Sequence, residues 1–318
     1  MRRAEFSGRV SARVSNEDEA KRRNFQLIEA ARAGNLKDLV EAVTQGAELQ
    51  TKTLRGQNAL MLAASARQKG SLQVIAFLLE ATIDPDVADD AGWTALLFAS
   101  RMNLAEAAEM LIRGKAEVGA RSFDGKTAAM LAATEQLDHL PSRPEAGFRS
   151  GDELVISLIG YKVGVEKADK RGWTLMHYAV SNAREELVKW LMKMKANHEA
   201  KTKDRNTPLM LAAEIGHIKI AKVLLGRPCN VNQRNLAGNH ALLLCILAGE
   251  EPFANYLCRS VVRLDATVKN KDGESALSAA SSQRMGQLKN QLDILVRKMQ
   301  DTPTDKKDIK KGVEDEDD

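Results

Sequence analysis

The sequence predicts an all-α repeat solenoid of stacked turn–helix–helix units, and three observations predict it. First, a nine-residue segment recurs: GQNALMLAA from Gly56, GWTALLFAS from Gly92, GKTAAMLAA from Gly125, GWTLMHYAV from Gly172, RNTPLMLAA from Arg205, GNHALLLCI from Gly238 and GESALSAAS from Gly273. Second, the steps between these starts are 36, 33, 47, 33, 33 and 35 residues. A fixed period of this size marks an array in which each unit buries its apolar face on its neighbours. Third, the chain of 318 residues is 44% hydrophobic but only 4% aromatic, which suits a core of alanines and aliphatic side chains.

The elements follow in chain order. Residues 1–24 hold seven basic side chains against four acidic with no apolar pattern after Phe6, and are expected to be a basic disordered arm. Two readings of it stay open: a solvated leader, or a contact for an acidic protein surface. The solenoid is expected over 25–300. Each unit opens on a turn signal such as Asp124-Gly125 or Asp272-Gly273, with Arg205 standing where the other units have glycine. Two residues later comes a helix N-cap type: Asn58, Thr94, Thr127, Thr174, Thr207 or Ser275. A short Ala/Leu/Met helix follows, then a polar break and a second apolar helix such as IKIAKVLLG from Ile218. The 47-residue step places an insertion near 135–148, between the two helices of the fourth unit, where Pro141, Pro144 and Gly147 predict a loop. Whether that loop binds a partner or is only a tolerated extension stays open. Met285, Leu288, Leu292, Leu295 and Met299 share one helical stripe and predict a C-terminal capping helix over 286–300. Residues 301–318, with four basic and eight acidic side chains that end in Glu314-Asp315-Glu316-Asp317-Asp318, read as a charge-segregated disordered tail.

These residues resemble the ankyrin repeat. Asn206-Thr207-Pro208-Leu209-Met210-Leu211-Ala212-Ala213 with Gly216-His217 carries its signature, His177 stands where the family has its histidine, and Ala30-Ala31-Arg32-Ala33-Gly34-Asn35 opens a first unit without a turn. Eight units are expected. The resemblance implies a concave face of turn tips and first helices that binds a protein or peptide, and it implies structural hydrogen-bonding roles for His177 and His217.

No enzyme is expected. The sequence has no phosphate-binding glycine loop, no G-x-S-x-G, no C-x-x-C and no H-E-x-x-H, so no catalytic residue, cofactor, metal or small-molecule substrate is assigned. Cys229, Cys245 and Cys258 read as reduced thiols, Cys229 being the most exposed. A net charge of +4 makes nucleic acid an unexpected partner, and no apolar run is long enough to span a bilayer. Together with the absence of a secretory leader, these points lead us to expect a cytoplasmic protein.

Candidate binding residues come from the slot between turn glycine and cap, which reads Gln57, Trp93, Lys126, Trp173, Asn206, Asn239 and Glu274. Four residues after the cap stand Leu62, Phe98, Leu131, Tyr178, Leu211 and Leu244. Trp93 with Phe98, and Trp173 with Tyr178, would make two aromatic patches, bordered by Arg101, Met102, Ser181 and Asn182. Large exposed aromatics are the residues that dominate binding energy, though the indoles would equally serve to stiffen neighbouring turns. Trp190, in a second helix, reads as core. The expected function is a non-enzymatic adaptor or scaffold. The alternative is a cytoskeleton-associated structural protein held by the basic arm.

Overall fold

The computed structural model describes residues 2–134, 151–161, 164–261 and 264–301. Every element among them is helical. They divide into two compact units, Met1–Asn197 and His198–Asp318. The first holds α1 (Arg2–Ala33), α2 (Leu36–Thr44), α3 (Ala59–Ser65), α4 (Ser71–Glu80), α5 (Ala95–Arg101), α6 (Ala105–Arg113), α7 (Ala128–Thr134), α8 (Gly151–Gly160), α9 (Leu175–Ser181) and α10 (Glu185–Lys193). The second holds α11 (Pro208–Glu214), α12 (Ile218–Leu225), α13 (Ala241–Leu247), α14 (Glu251–Ser260), α15 (Ala276–Ser282) and α16 (Gly286–Asp301). Within each unit the first helices of successive repeats pack side by side (α1, α3, α5, α7, α9; then α11, α13, α15), and each also packs on its own repeat's second helix.

Small side chains allow this close stacking. Ala63, Ala64, Ala99, Ala132, Ala133, Ala212 and Ala213 are fully buried, so neighbouring helix backbones meet over a methyl group. The cap positions act as the sequence predicts: Asn58, Thr94, Thr127, Thr207 and Ser275 each accept the backbone N–H three residues on. At Thr174 the N–H instead donates to His177 Nδ1 at 3.1 Å, which gives that histidine its structural place.

The turns have an order the sequence pattern left unread. The residue three before the turn glycine (Thr53, Asp89, Ser122, Asp169, Thr202, Asn235, Asn270) is always a side-chain acceptor, and it receives the N–H of the slot residue at 2.8–3.2 Å in all seven turns. A backbone bond runs the other way across each hairpin, for example Asp89 N–H to Trp93 O at 3.0 Å. Neighbouring hairpins are joined as well: the N–H of Asp90, Phe123 and Lys170 donates to the preceding tip at Arg55, Ala91 and Asp124. The slot residue is therefore gripped by both its backbone groups, and its side chain is aimed by the hairpin.

Two expectations change. Residues 1–24 were expected to be an unstructured arm, but the chain is helical from Arg2 and the segment is continuous with α1. It contains no proline and a single glycine, Gly8, among Ala, Arg, Glu and Lys, so local propensity extends the helix of the first repeat. Trp190, read as core, is only half-buried. Of the stripe expected on the capping helix, Leu288 and Leu292 of α16 are fully buried, Met285 just before it is 9% exposed and Leu295 is half-buried, while the side chain of Met299 lies outside what is described. The loop near 135–148 and residues 302–318 of the tail lie outside the described residues.

Arg205 keeps the turn by adopting φ +61°, where the equivalent glycines Gly172 and Gly238 have +78° and +81°. A Cβ in this region costs about 1–2 kcal/mol, partly offset by the freedom glycine adds to the unfolded chain. Arg205→Gly should therefore stabilise the protein by about 0.5–1 kcal/mol, read as a higher denaturant midpoint at unchanged slope.

His240 holds the cap position of α13 with no cap hydrogen bond, fully buried, and neither ring nitrogen reaches a partner at hydrogen-bonding geometry. Burial holds its pKa below the ordinary histidine value of 6.5. The unfolded chain takes up the proton more readily, so this contribution to stability is present above about pH 6.5 and is lost as pH falls below it. His240→Thr should stabilise by about 1 kcal/mol and flatten the acid-side loss, checked by denaturant melts of both chains on either side of that pH.

Candidate partner-binding surface

Both tryptophans occupy the slot that the hairpin aims, both are half-buried, and each is clasped by a ring from its own first helix and by a guanidinium. In the third repeat, Trp93 lies 5.1 Å from Phe98 between ring centroids, and the exposed Arg101, the last residue of α5, brings its guanidinium to 5.3 Å from the indole. Met102, next in the chain, is half-buried, and its carbonyl accepts a hydrogen bond from Arg67 at 3.1 Å. Of the four residues predicted for this site, the structure brings Trp93, Phe98 and Arg101 together, while Met102 follows Arg101 in the chain.

The fifth repeat is built differently. Trp173 lies 5.3 Å from Tyr178 and 6.1 Å from His177, with Arg171 at 4.7 Å from the indole. Tyr178, expected to be an exposed anchor, is only 3% exposed; its hydroxyl donates to Asp169 Oδ2 at 2.7 Å. The correction has a physical reason. A phenol at this position reaches a buried carboxylate in its own hairpin, whereas Phe98 at the equivalent position has no hydroxyl to hold it there. Asp169 Oδ1 accepts the N–H of Arg171 and of Trp173, each at 2.8 Å, and Arg171 Nε lies 3.6 Å from Asp169 Oδ2. Burial pushes the Asp169 carboxyl up, but the bonds from Tyr178 and the two amides, with the charge of Arg171, outweigh it and hold the group below the ordinary carboxylate range. Burial and the bond to Asp169 push Tyr178 up to about 12. Ser181 and Asn182 are half-buried at the end of α9, where Asn182 Nδ2 donates to the Tyr178 carbonyl at 2.9 Å; they close the helix rather than extend an aromatic patch. Arg171 and Asp169 are the functional-looking residues that sequence reasoning missed, although the acceptor recurring three before each turn glycine signalled the second.

The remaining reactive groups are muted. Burial pushes Cys229 and Cys258 up to about 11 and raises Cys245 further, opposite to what thiolate chemistry requires. Cys229, expected to be exposed, is half-buried. Among the described residues no three His, Cys, Asp or Glu side chains converge as for a metal, and no helix is long and apolar enough to cross a membrane.

Comparison with known proteins agrees with this architecture. A family model described as ankyrin repeats (3 copies) matches residues 27–122 and 146–235. The chain is 31% identical over 191 residues to the neurogenic locus notch homolog protein 1 of Xenopus tropicalis, a match covering 59% of this chain and 7% of that protein. It is 34% identical over 106 residues to the Drosophila melanogaster ankyrin repeat and KH domain-containing protein mask, covering 33% of this chain and 3% of that one. Human rabankyrin-5 is 28% identical over 138 residues, 40% of this chain and 12% of its own length. The chain therefore spans only a small part of these relatives. With the family model matching more than half of the chain on a stack of hairpin–helix–helix units, the protein belongs to the ankyrin repeat family, whose repeats are protein–protein interaction modules.

Proposed function

We propose that the protein is a non-enzymatic adaptor that holds a protein or peptide on the face formed by its hairpins and first helices, with Trp93, Phe98, Arg101 and Met102 as the anchor. The observation that carries this reading is the half-exposed Trp93 ring, fixed by a hydrogen-bonded hairpin, in a slot where other repeats place Gln57, Asn206 or Glu274. A rigid indole loses little entropy on binding and presents a large contact area, which is why tryptophan and arginine dominate binding energies. Raised thiol pKa values, and the commitment of the His177 ring to the Thr174 amide, argue against nucleophilic chemistry. Cytoplasmic residence is part of the same proposal.

Cross-linked affinity capture from the protein's own cells, read by mass spectrometry, tests it. The Trp93→Ala, Phe98→Ala double variant, shown folded by circular dichroism, should lose a defined set of proteins that the wild type retains. Equal capture by both chains would remove this face as the contact.

A further inference from the structure

The two tryptophan sites occupy equivalent positions but differ in charge balance. At Trp173 the guanidinium is answered within the protein: Arg171 Nε lies 3.6 Å from Asp169 Oδ2, and Arg171 Nη2 is 3.5 Å from the Tyr178 hydroxyl. At Trp93 that arrangement is missing. Ala91 stands where the fifth repeat has Arg171, Phe98 where it has Tyr178, and the cation comes from the helix end, as Arg101. Asp89, the counterpart of Asp169, commits Oδ1 to the amides of Ala91 and Trp93. Arg101 makes no ion pair among the described residues, and the nearby tip carboxylate of Asp90 is turned back over Gly56. The next slot along the row adds a second cation, Lys126.

An exposed guanidinium stacked on an indole is already ordered, so it gives up little freedom on pairing, and its planar fork matches a carboxylate. We propose that this site takes an acidic peptide: an Asp or Glu side chain pairs with Arg101 while an adjoining aromatic or large aliphatic side chain lies on Trp93 and Phe98. The Trp173 cluster, complete in itself, serves to stiffen its hairpin. This inference rests on the adaptor reading above and specifies its partner chemistry.

Random peptides displayed on phage and selected on the full chain provide the test, with the best sequences synthesised and titrated calorimetrically. The selected peptides should place Asp or Glu beside an aromatic or aliphatic residue. Affinity should fall about tenfold or more on Arg101→Glu, and equally when the peptide's acid is replaced by its amide. A peptide carrying Lys in place of the acid should bind Arg101→Glu better than it binds the wild type. Equal melting temperatures for wild type and Arg101→Glu exclude misfolding as the cause. Peptides that need Trp93 but ignore the charge at 101 would overturn the acidic-peptide proposal and leave the adaptor reading standing. Peptides indifferent to Trp93→Ala as well, or a selection that yields none, would overturn both.

Discussion

Asp169→Ala is expected to lower the unfolding free energy by about 3 kcal/mol. One buried carboxylate there answers four groups: the amides of Arg171 and Trp173, the Tyr178 hydroxyl and the Arg171 guanidinium. Removing it leaves the buried hydroxyl and amides without partners, and each such loss costs more than a hydrogen bond contributes. The pH dependence has a definite sign. The folded carboxyl has a pKa below its unfolded value, near 3.8, so its stabilisation is present above about pH 4 and is lost as pH falls through the folded value. Acid melts of the variant should therefore be shallower than those of the wild type. A second readout isolates the hydroxyl: tyrosinate absorbance should show one residue ionising near pH 12, a phase absent from Tyr178→Phe. A single step near the ordinary value of about 10 would mean that the bond to Asp169 is not made.

Phe253→Ala should cost about 3–5 kcal/mol. Among the described residues Phe253 is the largest fully buried side chain, and it lies in α14, which packs on α12, α13 and α16. Helices on three sides of α14 are each held by further packing and can close over a missing ring only in part, so the cavity should persist. In a stack whose units contact only their neighbours, the loss should be local. Amide exchange should accelerate in α13 to α16 of the second unit and leave α3 to α6 of the first unit unchanged. Uniform acceleration along the chain would show that the repeats unfold as one body.

The architecture was legible in the sequence because ankyrin stacking is governed by short-range rules. Seven registered segments, five of them Gly-x-Thr/Asn/Ser with Arg205 replacing the glycine in one and His240 the cap in another, together with alanine pairs and paired apolar helices, state which residues turn, cap and pack. Arg205 was legible as an exception, and the hairpin bonds hold it in the left-handed conformation its neighbours reach with glycine. Pattern reading failed where no periodic signal distinguishes the outcomes. Charge-rich residues 1–24 satisfy a helix as well as a disordered arm, and only continuity with α1 decided between them.

At the candidate site the sequence by itself determined that Trp93 and Trp173 share one slot, and that Phe98 and Tyr178 share another. Which of these pairs stays open to a partner was decided by tertiary structure alone. One hydroxyl separates the two rings, and with its reach to a carboxylate nine residues earlier Tyr178 is buried and Arg171 has a counter-charge, while Trp173 stays half-buried. Without that hydroxyl, Phe98 leaves Trp93 and Arg101 half-open and the guanidinium without a counter-charge among the described residues. Distance and burial set the strength of both interactions, and neither can be read from spacing along the chain.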